Sequence, residues 1–463
     1  MLQPHELEQI DQAARDLLED PGVLIEDEDL VRRILAAGGR AGSRSGVVRV
    51  PSRMVTEELR KAPSRFVLAD RAGRLSEVGP GCPSIFWSGA ALFMLRGDEA
   101  RKIGRADLAD FCRVIERCDQ VGGVVGTSVE EVRPVHRDFE GLAIMAAATR
   151  KHLRALAFTP RGVEAVVRMG EVLAGGRPLS QNPVVSIGFT AHGPLRWTNL
   201  ALSVFRASAG HGVPCTVNGE PMAGASAPVT LAGTMAVGTA EILSGIVVNQ
   251  LLEPGRPCFF NLGFAHVMDM RSGFAVTGGP ENVLLAVAGS ELASYYGLPS
   301  ASWMCTDSLR SDAQNALEKT LAAVTHLQAG VSVIWGVGQV ESEKTLSLVQ
   351  AVIDDEIIGM ARSCSRPPRV DRESLAVEVT RRVGVCGSFL GDEHTLEHFR
   401  DECYEPRLLV REQRAASKQA DTLERRAEGR VRAILASPSE PILGEAERRE
   451  LDRIAAAYHA SIA

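Results

Sequence analysis

The residues whose types and spacing most clearly suggest chemistry lie near the end of the chain, at His394-Thr395-Leu396-Glu397-His398. A helix would place two histidines four residues apart on one face, where such a pair can bind a metal ion. With a glutamate directly before the second histidine, the pattern matches the zinc-binding helix of an inverted zinc peptidase. His394, Glu397 and His398 therefore define one candidate site, that of a zinc-dependent hydrolase.

A catalytic zinc ion needs a third protein ligand, and the sequence downstream offers only glutamates such as Glu445 and Glu447 within charge-rich helical stretches. Five-residue patterns also arise by chance in helices. The chain lacks a phosphate-binding loop and a Gly-x-Ser-x-Gly elbow, and no Ser, Cys or Lys stands beside an obvious base. We therefore keep the zinc hydrolase as an alternative, expect no tightly bound metal, and infer that the attacking atom belongs to a cofactor.

Net charge, cysteine content and the distribution of apolar residues exclude several classes of protein. A net charge of −7 argues against a nucleic-acid binder. The nine cysteines are scattered, odd in number and without a Cys-x-x-Cys pair, which favours free thiols in a reducing cytoplasm. The N-terminus lacks the basic head and apolar core of a signal peptide. The apolar stretch 227–252 contains Glu241, Asn249 and Gln250, so it is interpreted as a buried helix and no membrane span is expected.

Apolar runs and helical stretches alternate through the middle of the chain. The predicted strands are 121–125, 153–158, 183–189, 213–217, 258–262, 299–304 and 331–335, and the helices after them are 139–149, 163–173, 199–209, 229–252, 281–296, 313–329 and 345–361. Such alternation indicates parallel strands covered by helices. At least seven units without a dinucleotide-binding Gly-x-Gly-x-x-Gly favour a (β/α)8 TIM barrel, with the eighth strand at 86–95 or 346–353.

The barrel is predicted to span residues 81–365. Residues 1–80 form an N-terminal cap of helices and short strands, and residues 366–463 form a C-terminal helical extension. Barrel enzymes carry their sites in the loops that follow the strands. Those loops contain His192, Trp197, Glu220, Phe264, His266, Asp269, Arg271 and Asp307, although Asp269 and 306–308 also resemble helix N-caps.

Several segments in this order resemble the trimethylamine:corrinoid methyltransferase family. They are Gly-Val-Leu-Ile-Glu-Asp-Glu at 22–28, Gly-Ala-Ser-Ala-Pro-Val-Thr-Leu-Ala-Gly at 224–233, Asp-Met-Arg-Ser-Gly at 269–273, Thr-Asp-Ser at 306–308 with Asp-Ala-Gln at 312–314, Ile-Asp-Asp-Glu-Ile-Ile-Gly at 353–359 and Gly-Asp-Glu-His-Thr-Leu-Glu-His-Phe-Arg at 391–400. The last contains the His-x-x-Glu-His motif, which on this interpretation is a structural family signature.

The resemblance implies a (β/α)8 barrel with helical extensions and a function in methylamine metabolism. The chain has only ordinary residues where the trimethylamine-specific branch carries pyrrolysine, so it resembles the non-pyrrolysine branch, which is similar to glycine betaine methyltransferase. That branch moves a methyl group from a quaternary amine to a corrinoid (cobalamin) cobalt carried by a small corrinoid-binding protein. The family also favours a homo-oligomer. A third possibility is a non-catalytic partner of a corrinoid protein.

A quaternary ammonium ion is best held by aromatic faces, each worth about 0.5–2 kcal/mol. The aromatic candidates near predicted strand ends are Phe86, Trp87, Phe189, Trp197, Phe264 and Trp303. Glu220, Asp269 and Asp307 are the candidate counter-charges. His192, His266 and Arg271 are the candidates for binding a substrate carboxylate, as in glycine betaine or relatives such as carnitine and proline betaine.

Overall fold

Eight parallel strands close into a barrel in the computed structural model, which describes residues 1–413, 421–438 and 441–461. In chain order the barrel strands are β1 (Ile85–Ser88), β2 (Val121–Val125), β3 (His152–Arg154), β4 (Val185–Thr190), β5 (Cys215–Asn218), β6 (Cys258–Gly263), β7 (Ser300–Trp303) and β8 (Val333–Val337). Each strand pairs with its neighbours in sequence, and β8 pairs with β1. The predicted (β/α)8 barrel is confirmed.

The strand that the sequence left between two positions is β1, which overlaps the first of them. Part of the second position, 346–353, lies in the helix Leu348–Ser365 instead. The apolar residues that follow β1, Phe93–Arg96, belong to a separate small sheet with Glu99–Lys102, Gln339–Val340 and Thr345–Leu346. One apolar stretch of sequence therefore contains strands of two different sheets. For this reason hydrophobic periodicity alone does not show where the first strand ends and the second begins.

Helices cover the outside of the barrel and extend beyond it. They are α1 (Pro4–Glu19), α2 (Glu28–Ala36), α3 (Ser52–Leu59), α4 (Arg105–Glu116), α5 (Arg137–Ala148), α6 (Pro160–Leu173), α7 (Asn199–Ser208), α8 (Leu231–Leu252), α9 (Pro280–Tyr295), α10 (Ala313–Gln328), α11 (Leu348–Ser365), α12 (Arg372–Leu375), α13 (Val377–Val383), α14 (Glu393–Glu402), α15 (Leu423–Ala436) and α16 (Glu445–Ser461). Helices α4–α11 each follow one barrel strand. The sequence did not predict α4.

The helix α8 is long and apolar enough to cross a membrane, but 83% of its most apolar window is buried within the protein. Its polar residues Glu241, Asn249 and Gln250 are buried as well. Asn249 and Gln250 donate hydrogen bonds to the backbone oxygen of Arg256. These contacts identify α8 as a core helix, as predicted.

The barrel interior has an apolar core separate from the core between strands and helices. It contains Trp87, Phe259, Trp303 and Trp335. The hairpin of Phe66–Ala69 and Leu75–Val78 packs against this interior core through Leu68 and Val78. The hairpin thus covers the N-terminal end of the barrel, where a cavity of about 630 Å³ lies beside it, and a cavity of about 820 Å³ lies at the other end.

Two further small sheets flank the barrel. One joins Val23–Ile25, Arg40–Ala41, Val47–Arg49 and Arg196–Trp197. The other joins Met222–Ala223, His266–Met268 and Ala275–Val276 in the loops after β5 and β6. The second sheet fixes the loops that carry several predicted site residues.

The C-terminal region has two parts. Helix α15 packs on α11 and α4, and α16 packs on α6. In contrast, α12, α13 and α14 have no buried residue, although they and the connection between α13 and α14 carry exposed large apolar side chains such as Leu375, Leu396 and Leu390. We refer to residues 366–403 as the arm.

Candidate functional site

A cavity of about 820 Å³ opens at the C-terminal end of the barrel strands. Loops after β1, β2, β3, β5, β6, β7 and β8 supply its walls. The lining residues are Ala90, Ala91, Leu92, Thr127, Ser128, Leu156, Phe158, Glu220, His266, Asp269, Ser272, Phe274, Ala275, Val276, Thr277, Asp307, Leu309, Glu341, Ser342, Glu343 and Lys344. The loops after β5, β6 and β7, which carry predicted site residues, meet at this space, whereas the loop after β4, with His192 and Trp197, does not line it. We call this space the mouth cavity.

Two carboxylates on the cavity wall, Glu220 and Glu343, have no hydrogen-bond or ion-pair partner among the residues that the structure describes. Burial raises the pKa of Glu220 to about 7. Burial, with a smaller contribution from the nearby Glu220, raises the pKa of Glu343 to about 8. Removing a carboxylate from water without a partner is costly, so this pair favours a positively charged ligand.

A third carboxylate, Glu241 on α8, lies near Glu220. Its Oε1 accepts a hydrogen bond of 2.9 Å from the Leu195 backbone N–H. Burial raises the pKa of Glu241 to about 7, and Glu220 adds to that increase. The negative potential at this side of the mouth thus comes from three glutamates on different elements.

Glu343 is presented by a strained segment. The consecutive residues Glu341, Ser342 and Glu343 have φ values of 57°, 47° and 69°, in the left-handed region that costs about 1–3 kcal/mol for a non-glycine residue. Two backbone hydrogen bonds keep these residues in the strained conformation. Glu341 N–H donates to Ser308 O at 2.7 Å, and Ser342 N–H donates to Thr306 O at 2.9 Å. Strain of this kind concentrates at functional sites, and here it places a carboxylate in the cavity wall.

Asp307 serves as a hub between loops. It accepts hydrogen bonds from the Thr277 backbone N–H at 2.9 Å, the Gly278 backbone N–H at 3.0 Å and the Ser342 hydroxyl at 2.6 Å. These bonds tie the loops after β6 and β8 to the loop after β7. Its acceptor capacity is therefore largely used within the protein, and the geometry favours a positioning role.

Asp269 and Arg271 belong to one tight turn. Asp269 accepts from the Ser272 hydroxyl at 2.7 Å and from the Arg271 backbone N–H at 3.0 Å, and these bonds lower its pKa. The Arg271 side chain is 94% exposed. Neither Asp269 nor the 306–308 segment caps a helix: the cap of α10 is Asp312, which accepts from Asn315 N–H at 3.0 Å.

His266 lies on the cavity wall and is buried. Its Nδ1 is 2.9 Å from the Phe264 carbonyl oxygen, which can only accept, so Nδ1 carries the proton. Burial lowers the pKa of His266, which keeps the ring neutral at neutral pH. The other predicted histidine, His192, is exposed to solvent and does not line the cavity.

The six predicted aromatic residues separate into two groups. Phe264 and Trp303 lie within the barrel, where the Phe264 ring is 4.6 Å from the ring of Trp303 and 4.7 Å from that of Trp335. Trp87 is deeper, stacked on His152 at 5.2 Å.

The second group packs between strands and helices, away from the mouth cavity. Phe86 lies under Arg362, Phe189 stacks on Phe205 at 3.5 Å, and the Trp197 indole N–H donates to Ser244 at 3.0 Å. Adjacent strand residues face opposite sides, so a run that is apolar on both sides does not reveal which residue points inward.

Four residues near the site were not predicted. Phe158 and Phe274 line the cavity, and both are exposed enough to meet a ligand or partner, at 38% and 67%. Glu343 lies in the polar segment 339–344 directly after β8, and this position is its sequence signal. Arg154 ends β3, and a charged residue inside the predicted apolar run 153–158 is the one available sequence signal.

The Arg154 guanidinium lies inside the barrel, with its Cζ 5.1 Å from the centre of the Trp335 ring. Its one hydrogen bond is a long contact of 3.5 Å from Nη2 to Thr216 Oγ1, and Nε has no partner. Burial alone lowers the pKa of Arg154 to about 10. Gly188 makes room for the group, because a Cβ at that position would lie 2.1 Å from Nη2.

The His-x-x-Glu-His motif lies on α14 in the arm, outside the mouth cavity. The rings of His394 and His398 are 4.4 Å apart, and His398 Nε2 is 3.8 Å from Glu373. Across residues 1–413, 421–438 and 441–461, no group of three or more His, Cys, Asp or Glu side chains is arranged to hold a metal ion. The geometry therefore gives the zinc hydrolase alternative no support.

Comparison with known proteins gives a consistent result. A model of the trimethylamine methyltransferase (MTTB) family matches residues 1–463. A trimethylamine methyltransferase of Desulfitobacterium hafniense is 29% identical over 406 residues, covering 86% of this chain and 81% of that protein. One from Methanosarcina barkeri is 30% identical over 405 residues, covering 84% and 81%.

A glycine betaine methyltransferase of Desulfitobacterium hafniense is 26% identical over 452 residues, covering 96% of this chain and 94% of that protein. Among solved structures, the Methanosarcina barkeri monomethylamine methyltransferase has a TM-score of 0.51 at 13% identity, covering 98% of this chain and 93% of that chain. At that identity the structural likeness concerns the fold alone.

Proposed function

The chain belongs to the trimethylamine methyltransferase family and is a methyltransferase, and from this premise we propose that it transfers a methyl group from a quaternary amine to the reduced corrinoid of a small partner protein. The family resemblance and the enzyme class predicted from the sequence are confirmed. The match to the glycine betaine methyltransferase extends over nearly the whole of both chains, and this supports a betaine-like donor.

The observation that carries the proposal is the pair Glu220 and Glu343. Both carboxylates line the mouth cavity without a partner among the described residues. A quaternary ammonium ion has a permanent positive charge and no N–H donor, so it is balanced by nearby carboxylates without needing hydrogen bonds. Aromatic faces such as Phe158 and Phe274 on the same wall add cation–π attraction.

The reaction makes modest demands on protein side chains. A quaternary amine leaves as a neutral amine when it loses a methyl group, so no general acid is needed. The reduced corrinoid supplies the nucleophile when its carrier is bound. The tasks left to this chain are to hold the cation, to exclude water and to leave one methyl group accessible from the mouth.

The rim of the mouth fits the approach of such a partner. Leu92, Phe158, Phe274 and Leu309 line the cavity and are exposed at 58%, 38%, 67% and 61%. Clusters of exposed apolar side chains mark sites where another molecule binds. We propose that the corrinoid carrier docks on this rim, in the cytoplasm where the free thiols are stable.

The experiment is methyl transfer to cob(I)alamin, followed by absorbance, from a panel of glycine betaine, carnitine, proline betaine, choline and trimethylamine. We expect turnover with at least one quaternary amine and none with trimethylamine. Replacing the cavity carboxylate, Glu343→Gln, should lower kcat/KM about 10- to 100-fold, because an interaction with a charged group is lost. Glu99→Gln, on an exposed strand, is the matched control.

Absence of turnover with every donor, using protein that is folded by circular dichroism, would overturn the proposal. A non-catalytic role as a partner of a corrinoid protein would then remain.

A further inference from the structure

Arg154 is a charged group inside the barrel for which the structure shows no counter-ion. It has no ion pair within the described part of the chain, and its surroundings are the Trp335 ring, Thr216 and Gly188. Asp and Glu side chains do not contribute to its titration, which burial alone determines. A guanidinium enclosed in the barrel without an anion is unfavourable, so a purely structural role leaves that cost unexplained.

The space beside Arg154 is accessible. Arg154, Gly188 and Thr190 each retain partial exposure, although Gly188 faces the guanidinium and all three belong to strands of a closed barrel. Glu220 and Phe264, nearer the mouth, are partly exposed as well. The partial exposure of Arg154, Gly188 and Thr190 indicates open space beside the guanidinium, although none of these three residues lines the mouth cavity.

The neighbourhood has donors without acceptors. The indole N–H groups of Trp303 and Trp335 and the Nε of Arg154 are buried without a hydrogen-bond partner. Trp303 and Trp335 are register partners on β7 and β8, and Arg154 lies over the second of these rings. A ligand group that only accepts hydrogen bonds, such as a carboxylate, matches such a set.

We propose that Arg154 anchors the carboxylate of a zwitterionic methyl donor whose ammonium group lies at Glu220 and Glu343. This inference rests on the proposed function and adds an orientation to it. The acidic residues lie at the mouth and the guanidinium lies deeper, so a betaine would bind with its carboxylate inward. Its methyl groups would then face the opening where the corrinoid carrier docks.

The assignment differs from the one based on sequence. His192 and Arg271 are exposed, and His266 is kept neutral by burial, so none of the three offers a buried positive charge. Arg154 meets that requirement, and its planar guanidinium suits a carboxylate. In this role Arg154 determines specificity for the acidic group and does not touch the reacting methyl.

Isothermal titration with three probes tests the inference directly. Glycine betaine carries both charges, choline lacks the carboxylate, and 3,3-dimethylbutanoate lacks the ammonium charge. We expect Arg154→Gln to weaken glycine betaine binding about 10- to 100-fold and to leave choline binding within about threefold. Arg154→Lys should recover part of the loss, and the exposed Arg44→Gln should change nothing.

If Arg154→Gln weakened the binding of choline and of glycine betaine equally, the inference would be overturned. It would also be overturned if Arg154→Gln preferred glycine betaine over choline as strongly as the wild type does, or if Arg271→Gln lost that preference. If Arg154→Gln does not fold, the affinities of the wild-type protein provide the test. Choline binding to the wild type as tightly as glycine betaine would overturn the inference.

The inference and the proposed function fail differently. Suppose that the wild type and Arg154→Gln both transfer methyl groups, and that the kcat/KM for choline and for glycine betaine is the same in the two proteins. The proposed function would then stand, and the role of Arg154 as carboxylate anchor would be ruled out. Arg154-dependent binding of glycine betaine without methyl transfer to cob(I)alamin would leave the anchor and remove the function.

Discussion

At the scale of single residues, the site is defined by the separation of opposite charges. Glu220 and Glu343 line the mouth without partners, and Arg154 lies inside the barrel without an anion. Each of these groups would be costly in a protein that bound nothing. A ligand that carries both charges offsets the cost at both ends, which links affinity to the ionisation of the glutamates.

Substrate affinity should rise with pH. The pKa values of Glu220 and Glu343, about 7 and about 8, mean that much of the pair is protonated at pH 6 and ionised above pH 8. A quaternary ammonium keeps its charge throughout, so the change belongs to the protein. We expect the Kd for glycine betaine to fall about 10-fold or more from pH 6 to pH 9, measured by titration calorimetry. A Kd independent of pH would contradict a role for this pair.

Folding stability should change in the opposite direction with pH at the same site. The folded pKa of Glu343 lies above its ordinary value of 4.5, so the folded state holds a proton that the unfolded state releases. Stability from this group is present below pH 4.5 and is lost as pH rises through about 8. Glu343→Gln should therefore stabilise the protein at pH 9 by about 1–3 kcal/mol and have little effect at pH 5.

Thermal unfolding of the two proteins at both pH values gives the comparison. A stabilisation that is the same at pH 5 and pH 9 would mean that ionisation is not its cause.

The residues that sequence reasoning found and missed have a common explanation. Glu220 and His266 were predicted because loops after strands are polar where they form a site, and both line the cavity. Arg154 was missed because the direction of a strand side chain depends on how the sheet closes, which local pattern does not give. Glu343 was missed because its inward position depends on three consecutive residues in the left-handed conformation. Glycine and asparagine usually mark that conformation in a sequence, and neither occurs at these three positions.

At the scale of elements, a buried ion pair connects the helices outside the barrel to the strained segment at the mouth. Lys319 on α10 and Asp354 on α11 are 2.6 Å apart and fully buried. Lys319 also donates to Gly336 O at 2.9 Å, and Asp354 accepts from Gly338 N–H at 2.7 Å. The pair therefore holds the end of β8, from which the chain enters 341–343.

Breaking this pair on one side should destabilise the protein strongly. Lys319→Met leaves Asp354 buried without its cation, at a cost of about 3–5 kcal/mol. Urea unfolding of the variant measures the loss, and Lys344→Met, an exposed change at the mouth, is the control for loss of a lysine. A loss below about 1 kcal/mol would show that the pair does not hold the end of β8.

The elements themselves were largely predictable. Seven strands and the helices after them gave a periodic signal, because strands buried on both sides are continuous apolar runs. The short strand β1 was ambiguous, since Ile85–Ser88 and Phe93–Arg96 share one apolar stretch but enter different sheets. Helix α4 follows a hairpin whose second strand, Glu99–Lys102, is entirely exposed and gives no strand pattern.

At the scale of the whole molecule, the arm is the feature that a monomer does not explain. Its helices have no buried residue, whereas Leu375, Val385, Leu390 and Leu396 are 60%, 98%, 89% and 74% exposed. Apolar surface concentrated in one segment favours association. The homo-oligomer expected from the sequence is the partner we favour for this surface.

Mass photometry and sedimentation test this expectation. We expect the wild type to exceed the monomer mass of 49.6 kDa and the double variant Leu375→Glu, Leu390→Glu to dissociate toward it. Leu200→Glu, a half-exposed apolar residue outside the arm, is the control. A wild-type protein that stays monomeric at micromolar concentration would contradict self-association through the arm.

The most direct measurement of the central claim follows the methyl group itself. Glycine betaine deuterated on its methyl groups is incubated with the protein and cob(I)alamin, and both products are analysed by mass spectrometry. We predict deuterated methylcobalamin and dimethylglycine in equal amounts, with both reduced about 10-fold or more in Glu343→Gln. Unlabelled methylcobalamin, or no methylcobalamin from glycine betaine and every other quaternary amine of the panel, would contradict the account.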